Sequence, residues 1–183
     1  LVDYFCCDKI NVLNEALKIN KNSFHVCEGF DSDIEKPHDI DKIHNVTFIG
    51  NVYGDRAETL SKLKTPVRVI SNAFSTKHSI EVSKSKINLN FCTSDGASDR
   101  VYKIMAAKGF LLSNDWISRE KDFIDGEHCV IFKDIEDLNK KIEYYLNNPE
   151  EAEKIASKGY EKVQGFNRLS WAKKIVNLYD KVK

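Results

Sequence analysis

No apolar run in these 183 residues approaches the roughly 20 that a membrane-spanning helix needs. The opening Leu1-Val2-Asp3-Tyr4-Phe5-Cys6-Cys7 is too short and lacks the basic flank of a secretion signal. Net charge is missing as well. Twenty-eight Lys and Arg face 28 Asp and Glu, which excludes a general nucleic-acid or membrane-surface role and makes any charge-driven binding local. The five cysteines are odd in number and form no C-x-x-C pair, which disfavours both a zinc site and a disulfide framework. Cys92 and Cys129 sit in apolar runs, where free thiols behave as small hydrophobes, so a reducing, cytoplasmic setting is expected. There is no G-x-G-x-x-G fingerprint, no Walker A motif and no G-x-S-x-G elbow, which argues against a dehydrogenase, a P-loop enzyme and a serine hydrolase. Internal repeats and low-complexity tracts are missing too. The five histidines are scattered, with surface or turn roles as the expectation.

The informative stretch runs from Lys84 to Phe132. An apolar strand, Ile87 to Cys92, leads into the loop Thr93-Ser94-Asp95-Gly96-Ala97. Ser98 opens a helix that closes at Lys108-Gly109, and the strand Phe110 to Asn114 follows at once. Such a unit builds a parallel sheet and offers a helix N-terminus to an anion, so a phosphate-bearing ligand is expected at Asp95 to Ser98. On the helix, Val101, Ile104, Met105 and the stem of Lys108 share a face for the sheet. Arg100, Lys103 and Ala107 share another. Arg100 and Lys103 near a helix N-terminus oppose the macrodipole, a penalty that a bound diphosphate would reverse. Asp99 and Lys103 also form a favourable i,i+4 pair.

Strands are expected at Val2 to Cys7, Phe24 to Cys27, Val46 to Ile49, Val67 to Ile70 and His128 to Phe132, besides the two above. Helices are expected at Lys9 to Ile19 with Asp8 as cap, Arg56 to Leu63, Ser75 to Ser83, Ser118 to Phe123, Asp134 to Leu146, from Pro149, and Leu169 to Val182. Asp31 to Asn45 reads as a loop. Alternating strands and helices imply an α/β fold with a doubly wound parallel sheet and appended C-terminal helices. Tyr144, Tyr145, Tyr160, Trp171 and Tyr179 are expected to pack on helices. Gly50 ends a strand and opens a second crevice at the carboxyl edge, where Asn51 and Arg56 could meet a ligand.

Arg100-Val101-Tyr102-Lys103-Ile104-Met105-Ala106-Ala107-Lys108-Gly109-Phe110-Leu111-Leu112, Asp125-Gly126-Glu127-His128, and Asp134 to Leu146 with Tyr144-Tyr145-Leu146 resemble the donor-binding half of GT-B fold glycosyltransferases. Val46 to Gly50 with Arg56 looks like the first strand and basic residue of the family 1/4-like group that includes spore-maturation-type proteins. The resemblance implies a Rossmann-like nucleotide-sugar-binding domain over residues 24–183. Residues 1–23 would be the end of a preceding domain or a crossing segment, and the chain, which begins with Leu, part of a longer polypeptide.

It further implies transfer of a glycosyl group from a nucleotide diphosphate sugar to an acceptor, with retention. An N-terminal domain or partner chain would supply the acceptor side, so the isolated chain should bind donor without appreciable turnover. Aligned on Met105-Ala106, the retaining branch's pattern of two glutamates separated by seven residues falls on Asp95 and Lys103. Asp95 is a methylene shorter than glutamate, and Lys103 cannot accept a hydrogen bond from a ribose hydroxyl. By the resemblance Arg56 and Asp95 are the catalytic candidates. Gly50, Asn51, Gly96, Ala97, Ser98, Arg100 and Lys103 are the donor-binding ones, with fixed cations serving in place of a metal. The competing reading is a non-catalytic module of the same fold that binds a partner, with Lys103 marking a lost site. A receiver- or flavodoxin-like domain is disfavoured, because no acidic cluster follows the first strand.

Overall fold

The computed structural model describes residues 2–93 and 96–182. Five parallel strands form the main sheet: β3 (His44–Ile49), β4 (Arg68–Ile70), β5 (Ser85–Asn90), β6 (Leu111–Asn114) and β7 (Val130–Phe132), in the order β4-β3-β5-β6-β7. All five strands expected between Val46 and Phe132 are therefore neighbours, and helices cover both faces. One face carries Val46, Phe48, Ile87, Leu89, Leu112 and Val130, which pack on Leu138 and Ile142 of α6 (Ile135–Asn147) and on Ala152, Ile155 and Ala156 of α7 (Pro149–Val163). The other face meets Val82 of α3 (Thr76–Ser83) and Val101, Ile104 and Met105 of α4 (Asp99–Ala106).

Local chemistry explains several boundaries. Asp134 caps α6 by accepting from the Asp137 amide at 2.8 Å, and Leu138 and Ile142, one turn apart, bury the helix on the sheet. Pro149 opens α7, where its missing N–H costs nothing. After α4 the chain turns through Lys108 at φ 55°, and Gly109 enters the sheet so closely that a Cβ there would lie 2.4 Å from Val82 Cγ1.

Other expectations are corrected. The first two strands shorten to β1 (Phe5–Cys7) and β2 (Ser23–His25) and stand outside the main sheet as a parallel pair of their own, joined through α1 (Ile10–Ile19). Asp8 does not cap α1; Lys9 holds the cap position, and the Asp8 carboxylate pairs with Lys9 at 3.2 Å. Ala107 is buried rather than displayed beside Arg100, and Tyr144, Trp171 and Tyr179 are 42–49% exposed rather than part of the core.

Residues 26–30 carry the chain into the main unit, and a 3-10 turn, Gln164–Phe166, carries it out. The two passages touch: the Phe30 amide donates to the Phe166 carbonyl at 3.3 Å and the Arg168 amide to the Phe30 carbonyl at 2.9 Å. Arg168 also pairs with Asp31 at 3.1 Å. The last helix, α8 (Arg168–Val182), then runs to the first unit, where the Tyr179 ring lies 5.8 Å from Tyr4.

Candidate functional site

The carboxyl edge of the main sheet is where the candidate residues gather. β3 ends at Gly50, whose φ of 154° and lack of a side chain let Arg100 lie across it; a Cβ there would be 2.8 Å from Arg100 Nη1. Arg100 comes from the first turn of α4. Its Nε donates to Asn90 Oδ1 at 3.0 Å and its Nη2 to the Phe91 carbonyl at 3.5 Å, and its guanidinium stands 5.8 Å from the centre of the Phe48 ring. Arg56, on α2 (Asp55–Ser61), reaches the same carbonyl through Nη2 at 3.3 Å, donates to the Asn51 carbonyl at 3.3 Å, and stacks 4.5 Å over the Tyr53 ring.

Two arginines from separate crevices therefore converge on one backbone oxygen, and among the described residues the groups they donate to are all neutral. Burial, then the Arg56 charge, pulls the Arg100 guanidinium below its ordinary value. Such a pair is poised for an anion, which would relieve the repulsion and supply charge-assisted hydrogen bonds.

Three depressions surround this point. A cavity of about 170 Å³ takes in Gly50, Asn51, Arg100 and Lys103 together with Phe74, His78 and Asp99. A wider groove of about 660 Å³ takes in Tyr53, Arg56, Phe91 and Asn114. A narrow cleft between Gly96, Ala97 and the first unit brings in Asp8, His25 and Glu28. Gly96 is buried, and a Cβ on it would meet the Asp8 carbonyl at 3.4 Å. The Ser98 hydroxyl faces inward and donates to Asn90 Oδ1 at 3.2 Å instead of capping α4, so only its backbone amide remains for a ligand. Lys103 Nζ donates to Asp99 Oδ2 at 2.7 Å, as the i,i+4 pairing leads one to expect, yet both residues line the cavity. Asp95 lies outside the described residues.

Two groups that organise the site are absent from the sequence-based candidates. Asn90, fully buried, accepts from Ser98 and Arg100 and donates to Ser113 Oγ at 3.1 Å, fixing α4 to the sheet. Its signal lies in the run Ile87-Asn88-Leu89-Asn90-Phe91, where polar residues alternate with apolar ones along a strand that is covered on both faces. His78, expected at a surface or turn, is only 5% exposed, and neither ring nitrogen has a partner among the described residues. Burial, then the charge of Lys103, lowers its pKa to about 4, so the ring is neutral at neutral pH. Asp99 goes the other way from its burial. Desolvation works to raise its pKa, but the hydrogen bond and charge of Lys103 outweigh it and hold the carboxyl below its usual range.

A family model described as glycosyl transferase-like matches residues 35–179. No curated protein matches the chain in sequence. Among solved structures, HepE of Anabaena in complex with UDP-glucose has a TM-score of 0.80 at 9% identity, covering 99% of this chain and 64% of its own. A glycosyltransferase from Rickettsia africae has a TM-score of 0.76 at 11% identity, covering 98% and 63%. Sucrose-phosphate synthase from Thermosynechococcus elongatus has a TM-score of 0.74 at 14% identity, covering 100% and 59%. At these identities the likeness is one of fold, and the chain spans less than two thirds of the length of each. Among the described residues no helix is long and apolar enough to cross a membrane.

Proposed function

The chain belongs to the glycosyl transferase-like family, and on that premise we propose that it is the donor-binding, C-terminal half of a GT-B glycosyltransferase, of the family 1/4-like branch that includes spore-maturation-type proteins. The observation that carries this reading is the meeting of Arg56 and Arg100 at the Phe91 carbonyl beside the loop that opens α4. A departing nucleoside diphosphate develops charge there. Two fixed guanidinium groups and the Gly96 to Ser98 amides stabilise it without reorganisation and without a metal. Asp95 positions the transferred sugar, which leaves with retention for an acceptor held on a preceding domain or partner chain. The unit β1-α1-β2 is the end of that domain or the segment that crosses from it, and its cleft with Gly96 and Ala97 is the near edge of the acceptor side. Without the rest of the cleft, proximity and water exclusion are incomplete, so the isolated chain binds donor but turns over poorly. Cys92 and Cys129, buried as free thiols, support a reducing cytoplasmic setting.

HepE is described in complex with UDP-glucose, which makes uridine diphosphate the first probe. Calorimetric titration of the chain with nucleoside diphosphates tests the reading. The expected result is saturable binding that weakens roughly tenfold in Arg56→Ala, as loss of one charge-assisted contact implies. Lys103, a cation where the family's pattern has a carboxylate, favours the second reading, a partner-binding module. Failure of every nucleoside diphosphate to bind would decide for it.

A further inference from the structure

We infer that the wider groove at the carboxyl edge is a saccharide subsite, which holds a neutral hexopyranose of the acceptor against Tyr53; its assignment to an acceptor rests on the donor-binding reading above. The groove, about 660 Å³, falls within the roughly 300–1,000 Å³ of small-molecule sites. It shares no lining residue with the smaller cavity at Gly50 and Arg100, so the two can be filled together. Arg56 lines it, which sets the groove beside the arginine pair. Its apolar lining includes Phe91 and Phe132, edge to face at 5.9 Å and nearly closed to water. Tyr53 differs from both. Arg56 lies 4.5 Å over its ring and holds it, yet the residue is 61% exposed, so an aromatic surface stays open to a ligand.

The polar lining decides what kind of ring fits. Asp55 and Arg56 bring opposite charges to the groove, and its other lining residues are neutral. A diphosphate on the arginine pair tips that balance to negative, so an anionic ring is repelled both by it and by Asp55. A hydrocarbon would strip water from Asp55, Arg56 and Asn114 and return no hydrogen bond. The Asp55 carboxylate only accepts, and Arg56 only donates, with N–H groups beyond those given to Asn51 and Phe91. Asn114 does both. It spends one N–H and one lone pair on the Cys92 backbone, at 3.0 and 2.7 Å, which fixes the amide and leaves one of each. A pyranose meets every requirement at once: its hydroxyls donate and accept, and its C–H face packs on an aromatic ring. A nucleobase is the rival for the Tyr53 ring.

The test follows the backbone amides of the 183-residue chain by NMR during titration with the methyl glycosides of glucose, galactose and mannose, each with and without uridine diphosphate. At least one glycoside should shift the Tyr53, Thr59, Thr93 and Asn114 signals saturably, and should still do so with the nucleotide present. Tyr53→Ala should weaken that glycoside about three- to tenfold, as loss of one stacked ring implies, and Tyr53→Phe should keep it within about twofold. The uronate counterpart of the same glycoside should bind about threefold or more weakly, a gap that Asp55→Asn narrows. The subsite is overturned by no saturable shift at these residues with any of the three, by unchanged affinity in Tyr53→Ala, or by displacement of the glycoside by the nucleotide. A uronate that binds as tightly overturns the choice of a neutral ring. A glycoside that binds where no nucleoside diphosphate does keeps the subsite and overturns the donor reading alone.

Discussion

On one face of the main sheet, Val46, Ile87, Leu89, Leu112 and Val130 meet α6 and α7 in an apolar core. On the other, Thr47, Asn88, Asn90 and Ser113 are buried side by side in the register that pairs Thr47 with Asn88 and Asn90 with Ser113. The first face obtains its stability from area removed from water and is indifferent to direction. The second obtains direction: a hydrogen-bonded asparagine holds Arg100 and the Ser98 hydroxyl at fixed angles, so the start of α4 is set relative to Gly50 and Arg56. The second face buries apolar side chains too, with Ile49, Leu111 and Ile131 in one cluster with Val101, Ile104 and Met105 of α4, and it adds the aiming that the first face lacks.

The comparison predicts different failures for the two faces. Leu112→Ala removes a fully buried side chain from the apolar face and should cost about 2–5 kcal/mol in urea unfolding. The affinity of the remaining folded protein for a nucleoside diphosphate should be unchanged; a coupled loss of affinity would mean that the faces are not separable. The next effect is acid loss on the polar side. His78 titrates at 6.5 when unfolded and at about 4 when folded. Its contribution is therefore complete above pH 6.5, declines as the pH falls below that, and is gone once the pH has passed below 4. The decline amounts to about 3 kcal/mol. Unfolding curves measured across that window should show this slope in the native chain and lack it in His78→Phe.

Asn90→Ala should cost less stability, roughly 1–3 kcal/mol for the partners left unmet, but it should also lower nucleoside diphosphate affinity about tenfold, because Arg100 loses its anchor. Full affinity in that variant would show that the Phe91 carbonyl alone aims the guanidinium. The smallest effect is expected far from both faces. Glu136→Ala breaks the exposed i,i+4 pair with Lys140, and the urea midpoint should not move measurably.

The layout of the main unit is legible in the residues because its strands are covered on both faces and read as apolar runs between helical periods, as at Val46 to Ile49 and Phe110 to Asn114. The gathering of Gly50, Asn51, Arg100 and Lys103 in one cavity follows from their places at the ends of neighbouring elements. His78 was hidden for a physical reason. On α3 the buried positions are mostly polar, namely His78, Ser79, Glu81 and Ser83, so no hydrophobic period marks which face turns inward. Asn90 was hidden by its neighbours, since Ile87, Leu89 and Phe91 give the strand its apolar character. The separate pairing of β1 with β2 is invisible in runs this short, because a three-residue strand carries no register information of its own.

The contact between Phe30 and residues 166–168 also has a consequence for engineering. The main unit begins and ends at the same spot, so as a piece of chain it is a loop already closed by two hydrogen bonds and an ion pair. A short linker across that spot would join its ends without stretching them, and new termini could be cut in an exposed turn such as Asp125-Gly126. Such a rearranged chain would carry the arginine pair and the cavity beside it free of the first unit, and could be fused to another scaffold through either new end.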